Sequence, residues 1–302
     1  MTDVAPELVA RFRSADLAER FVAAYDAELA RWPASVTSVD VATAYGTTHV
    51  QVCGPPDAPP VVLLHGGGCT STAWFATAAA LAGTHRVYAP DQLGDAGLSV
   101  PAGRPIRRVE DFMGWLDGLF DGLGLREAAL CGHSYGGWLA LNYALHKADP
   151  SGHSTITRLA LLDPTDCFAG LRLGYRLRAL PLFVRPSAAR MRAFIEWETD
   201  RAPLDSLSLA LACLAGGEFR GSPVVMPHRP AADRLAALAI PTLLLLAEKS
   251  RAHDIRRVRA NAERSLPHLT VAALAGVAHH SLPATNPERL NQELVRFLAD
   301  RS

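Results

Sequence analysis

From Val61 onward the chain alternates short apolar strands with helical stretches, and this alternation limits the possible folds more than any other feature. The runs VVLLH (61–65), RVYAP (86–90), AALCG (128–132), RLALLD (158–163) and PTLLLLA (241–247) are almost continuously apolar. Strands of that kind are buried on both faces, as happens when helices cover both sides of a parallel sheet. The expected fold class is therefore α/β, a mostly parallel central sheet flanked by helices. At 302 residues one such core with an insertion accommodates the whole chain.

The flanking segments fit around that core. Leu8, Phe12, Leu17, Phe21, Tyr25 and Leu29 recur at helical spacing and predict one amphipathic helix over 7–31. SVTSVDVATA (35–44) and THVQVCG (48–54) predict an antiparallel hairpin turning at Gly46. Between LLDPTD (161–166) and IPTLLLL (240–246) the alternation stops, and the Leu- and Arg-rich segment broken by Pro181, Pro186 and Pro203 predicts a helical insertion. GEFRGSPVVMPHRP (217–230) is its irregular end. LTVAALAG (269–276) predicts a last strand and NPERLNQELVRFLAD (286–300) a closing helix, with Asn286 as N-cap and Pro287 in its first turn. The division that results is an N-terminal helical segment (1–34), a core (35–166 and 240–302) and a cap or lid (167–239).

Charge and composition narrow the function classes. Thirty basic residues balance thirty acidic ones, and the arginines are spread along the chain, so neither nucleic acid nor a membrane is an expected partner. A small molecule is, and a homodimer stays open. The start MTDVAPELVARFRSADLAER has no apolar run of signal-peptide length, and nothing approaches the roughly 18 consecutive apolar residues of a membrane span, which points to the cytoplasm. Cys53, Cys69, Cys131, Cys167 and Cys213 are odd in number and lack CxxC spacing, so they are expected to be reduced and mostly buried. Neither G-x-G-x-x-G nor a P-loop occurs. No cofactor and no metal is expected.

The chemistry concentrates in two glycine-rich segments. In ALCGHSYGGWLALNYAL (129–145) a strand runs into Gly132-His133-Ser134-Tyr135-Gly136 and on into a helix. A G-x-S-x-G turn in that context pushes the serine hydroxyl out at the carboxyl edge of a sheet, beside the free N–H groups of a helix start. Ser134 is the candidate nucleophile, against the plainer reading of a serine in a packing turn. In VVLLHGGGCTSTAW (61–74), His65-Gly66-Gly67-Gly68 follows a strand and can expose backbone N–H groups. Two such donors stabilise a developing oxyanion by about 3 to 4 kcal/mol each. Gly67 and Tyr135 are the expected donors and Gly68 an optional third or pocket residue. His65 is expected to order the loop, and His133 to pack or to form a pocket wall.

These segments, with DQLGDAGLS (91–99), LLDP (161–164), IPTLLLLAEK (240–249) and GVAHHSLPATNPERL (276–290), resemble the α/β-hydrolase superfamily over residues 35 to 302. The resemblance implies a helically capped serine hydrolase with its triad in the order nucleophile, acid, histidine. The loop that carries the histidine in this family reads Gly276-Val277-Ala278-His279-His280 here, which makes His279 the base in preference to His280; a metal site at the two histidines is disfavoured. The usual acid position after the penultimate strand is Ser250. Asp254, four residues on, is the expected acid, with Glu248, Asp163 and Asp166 as alternatives and an N-cap as its plainer role. Asp91 is expected to brace its loop.

The implied activity is cleavage of a carboxylic ester or thioester of a small, largely apolar molecule. A thioesterase, acyltransferase or cyclase, a weakened scaffold, and cofactor-free oxygenase or lyase chemistry are the alternatives. Phe168 and Trp197, with Leu171, Tyr175, Phe183 and Phe219, are candidate pocket residues.

Overall fold

A computed structural model describes residues 4–148 and 154–300. Its nine-stranded sheet comprises β1 (Thr37–Thr43), β2 (Gly46–Cys53), β3 (Pro60–Leu64), β4 (Arg86–Pro90), the two-residue β5 (Val100–Pro101), β6 (Ala128–His133), β7 (Ile156–Leu162), β8 (Thr242–Ala247) and β9 (Leu269–Leu274). The order across the sheet is β1-β2-β4-β3-β6-β7-β8-β9, with β5 paired to β2. β1, β2 and β4 pair antiparallel, and every pairing from β4 through β9 along the main path is parallel. The hairpin turns at Gly46, whose φ of +133° suits glycine and where a Cβ would stand 2.2 Å from the carbonyl of Val100.

The apolar runs become two cores. Because side chains alternate along a strand, Val62 and Leu64, Leu130, Leu159 and Leu161, and Leu244 and Leu246 share one face. Val61 and Leu63, Cys131, Ala160 and Leu162, and Leu243 and Leu245 share the other. The first face is covered by α4 (Val109–Gly122), α5 (Ser134–Lys147) and α10 (Ile255–Ser265), the second by α3 (Phe75–Leu81) and α11 (Glu288–Ala299).

Between β7 and β8 lie α6 (Leu173–Val184), α7 (Ala188–Glu198), α8 (Ser206–Glu218) and α9 (Ala232–Ala236), with no regular structure from Phe219 to Pro230. A third cluster joins Phe12, Phe21 and Tyr25 to Leu211, Leu214 and Ala215 of α8. The N-terminal segment thus packs on the insertion as well as on the body.

Two helix limits differ from the sequence expectation. The helix over 7–31 is two helices, α1 (Pro6–Val9) and α2 (Ala15–Leu29), because the Ser14 hydroxyl accepts from Leu17 N–H and starts a new helix there. At α11 the N-cap is Pro287, while Asn286 sits at φ +49° outside the helix. Among the described residues no helix is long and apolar enough to cross a membrane.

Candidate active site

The segment around Ser134 is built as a tight elbow. Ser134 has φ +53°, a left-handed value that a non-glycine residue holds only when its surroundings impose it. A Cβ on Gly132 would lie 2.2 Å from the carbonyl oxygen of Gly136, and one on Gly136 would lie 2.3 Å from the carbonyl oxygens of Leu64 and His65. Glycine is needed at both positions for strand, helix and neighbouring strand to approach this closely.

The elbow delivers the hydroxyl to a histidine. Ser134 Oγ lies 2.8 Å from His279 Nε2 and 3.1 Å from the Thr165 hydroxyl. His279 opens a short 3-10 turn (His279–Ser281) after β9 and is 2% exposed. On its other side His279 Nδ1 lies 2.6 Å from Asp163 Oδ2.

This geometry corrects the expected acid. Asp254 is the N-cap of α10, where its carboxylate accepts from the N–H groups of Arg256 and Arg257, and it is exposed. A helix start that needs a cap holds this carboxylate outside the core. Asp163, at the carboxyl end of β7, is fully buried and takes the place on the imidazole. The Ser250 hydroxyl donates to Asp163 Oδ2 at 2.8 Å, so the residue at the family's usual acid position holds the carboxylate that ends the neighbouring strand. Glu248 accepts from Gly276 N–H at 2.8 Å, and Asp166 from Leu171 N–H at 3.3 Å; both order turns.

Electrostatics follow from these contacts. Burial pushes the Asp163 carboxyl up, but the hydrogen bond from His279 and the nearby histidines outweigh it and hold it at about 2. Burial lowers His279, yet the hydrogen bond and charge of Asp163 and the charge of Glu198 raise its pKa above the ordinary histidine value. Glu198, on α7, accepts from the backbone N–H groups of both His279 and His280, at 3.2 and 3.0 Å, and from Arg251 N–H at 3.0 Å. It is itself held at about 2, burial being outweighed by the His280 hydrogen bond and neighbouring charge.

The glycine loop meets the elbow from the other side. Gly67 lies against Tyr135, a Cβ there being 3.5 Å from the tyrosine Cβ. Among the described residues the Gly67 N–H, in a turn, has no hydrogen-bond partner, and the Tyr135 N–H has none outside its own helix. Gly68 is different: its N–H donates to Asp95, at 3.0 and 3.2 Å to the two oxygens, so it orders the loop rather than offering a third donor. His65 accepts from Gln92 N–H at 3.0 Å through Nε2 and holds the loop, as Asp91 does through Ser71 N–H, Leu98 N–H and the Tyr25 hydroxyl.

Several expected pocket residues lie elsewhere. His133 is 3% exposed and sandwiched below Gly66, with Nε2 3.2 Å from the His279 carbonyl, so it braces the histidine loop instead of walling a pocket. Phe168 is packed into the core that includes Trp138, and Phe219 packs edge-on against Phe12 and tilted against Phe21. Trp197 stands a layer back, behind Tyr175 and Phe194, with Arg178 and Arg251 over its ring. Phe183 is 67% exposed. The cap rings that meet the histidines are Tyr175, 6.2 Å from His279, and Phe194, 5.3 Å from His280.

His253, Thr165 and Glu198 had no sequence signal. His253 is buried with neither ring nitrogen bonded, and burial pushes it down to about 4. Asp163, His253 and His279 place potential ligand atoms within 4.8 Å of one another. The 2.6 Å contact from His279 Nδ1 to Asp163 Oδ2 is a hydrogen bond, shorter than the usual N–H···O distance.

A sheet of this order, with a strained serine at one strand end, a histidine after the last strand and an aspartate between them, is the architecture of the α/β hydrolases. The sequence profile of the alpha/beta hydrolase family matches residues 61–293, and the chain belongs to that family. It is a hydrolase. It is 30% identical over 300 residues to carboxylesterase YbfK of Bacillus subtilis, covering 95% of this chain and 96% of that one. It is 28% identical to the carboxylesterase nap of the same organism, over 92% of each chain. The crystal structure of that YbfK esterase superposes with a TM-score of 0.85 at 29% identity, over 94% of this chain and 99% of that chain.

Proposed function

We propose that the protein is a serine esterase in which Ser134 is the nucleophile, His279 the general base and Asp163 the acid that holds it. The reading is carried by one observation, the unbroken chain from Ser134 Oγ to His279 Nε2 at 2.8 Å and from His279 Nδ1 to Asp163 Oδ2 at 2.6 Å. The full-length likeness to carboxylesterases supports a carboxylic ester as substrate.

The reaction follows from these positions. His279 Nε2 takes the proton as Ser134 Oγ bonds to the ester carbonyl carbon, and Asp163 stabilises the imidazolium that forms. The oxyanion is received by the Gly67 and Tyr135 N–H groups, the second at the positive end of α5. Collapse expels the alkoxide, which takes the proton from His279 and leaves an acyl-serine. Water, deprotonated by His279, then repeats the sequence to release the acid and restore Ser134. Residues 167–239 act as the cap, with Tyr175 and Phe194 presenting apolar rings toward the histidines, which suits a small, largely apolar substrate.

The test is the rate of fluorophosphonate addition followed by intact mass. Wild-type protein gains one adduct, mapped to Ser134, and Ser134→Ala gains none. An adduct that persists in Ser134→Ala refutes the assignment.

A further inference from the structure

α6 carries apolar side chains on two opposite faces. Tyr175, Ala179 and Leu182, spaced i, i+4, i+7, are half-buried, and Tyr175 reaches His279. Leu173, Leu177, Leu180 and Val184 continue the same spacing along the opposite face, where they are 69%, 61%, 54% and 69% exposed. A single exposed leucine is ordinary, but a stripe of this length along one helix marks a contact surface.

Charge identifies the occupant. Residues 167–195 contain six arginines, Arg172, Arg176, Arg178, Arg185, Arg190 and Arg192, and no Asp or Glu, in a chain whose overall charge is zero. All six are exposed; Arg178 lies over the Trp197 ring and Arg192 pairs with Glu196 at 3.8 Å, while Arg172, Arg176, Arg185 and Arg190 have no ion pair among the described residues. The overall balance, which led to the expectation of no membrane partner, conceals this local excess. Apolar stripes flanked by arginine lie in the headgroup region of anionic bilayers, the arginine stems following the apolar surface while the guanidinium groups meet phosphate.

We propose that this face of α6 docks on an anionic lipid surface, with the leucine stripe at the boundary between headgroups and acyl chains. A second copy of the chain suits the face poorly. A two-fold contact sets the same patch against itself, so each set of six arginines would meet its own image with no acidic residue from the segment between them. Docking in this orientation turns the opposite, Tyr175-bearing face of α6 toward the body and His279.

Co-sedimentation of the full chain with phosphatidylcholine vesicles, with and without phosphatidylglycerol, tests the proposal. Wild-type protein partitions about tenfold or more in favour of the anionic vesicles, and added salt weakens the binding. The double variant Leu177→Glu, Leu180→Glu loses it, and Arg176→Gln, Arg185→Gln reduces it, while both hydrolyse a soluble short-chain ester at a rate within about twofold of wild type, because these side chains are exposed and make no contact with the triad. Equal partition onto both vesicle types, or binding unaffected by the leucine substitutions, overturns the proposal. So does a wild-type dimer that binds no vesicles and becomes monomeric in the leucine variant, which would assign the face to a second copy.

Discussion

At the scale of single residues, Asp163 gathers His279 at 2.6 Å and the Ser250 hydroxyl at 2.8 Å, with Ala247 N–H a weaker donor at 3.4 Å. These contacts make a statement about pH. His279 acts as a base only when neutral, and its pKa is raised by Asp163 and Glu198 against the opposing effect of burial. The acidic limb of kcat/KM is therefore expected above about 6.5, the ordinary histidine value, with activity lost as pH falls through it. In Asp163→Asn the limb of the residual activity moves to lower pH. A wild-type limb at or below the ordinary value contradicts the account. Backbone crowding gives a second expectation. Gly132→Ala sets a methyl 2.2 Å from the carbonyl oxygen of Gly136, and urea unfolding should register a loss of about 1–3 kcal/mol or more. Ser134 and His279 were legible because each sits in a local motif whose spacing fixes its place. Asp163 was legible only as one alternative, because an acid needs only to reach the imidazole, and no local spacing says from which strand. The trace it left was indirect: a serine at position 250, and an aspartate directly ending the neighbouring apolar run.

Among the elements, α7 connects the insertion to the histidine turn through the Phe194 ring and, by hydrogen bonds, through Glu198. Glu198 accepts from both backbone N–H groups of that turn, and its charge contributes to the raised pKa of His279. It is a positioning residue in this account. Glu198→Gln keeps an acceptor but not the charge, so the acidic limb should shift downward with little change in KM. Glu198→Ala removes both and should lower kcat by about tenfold or more. An unchanged pH profile in Glu198→Gln would reduce Glu198 to packing. The strands offer a simpler test. Leu244 is fully buried in the core under α4, α5 and α10, so Leu244→Ala is expected to cost about 2–5 kcal/mol in urea unfolding. These strands were legible because parallel strands covered on both faces are unbroken apolar runs. The helix limits were less so: Ser14 starts α2 inside a run whose apolar spacing continues across it, and α11 begins after Pro287 without a side-chain cap.

In the whole molecule, β7 and β8 are parallel neighbours in register, Leu162 beside Leu245, and the Asp163 N–H donates to the Leu245 carbonyl at 2.8 Å. Their carboxyl ends face the same imidazole, so the fold offers two adjoining places for one acid. This chain puts aspartate at the first and serine at the second. The same topology sends the loop after β8 outward into α10, where Asp254 serves the helix. Two aspartates thus compete for one role, and kcat/KM for a soluble p-nitrophenyl ester in Asp163→Asn and in Asp254→Ala separates them. A fall of about 10³ to 10⁴ is expected for Asp163→Asn, since the imidazole loses the partner that fixes its tautomer. Asp254→Ala should keep activity within about twofold of wild type, with only a cap's worth of stability lost, about 1 kcal/mol. A collapse of activity in Asp254→Ala with Asp163→Asn near wild type would contradict Asp163 as the acid.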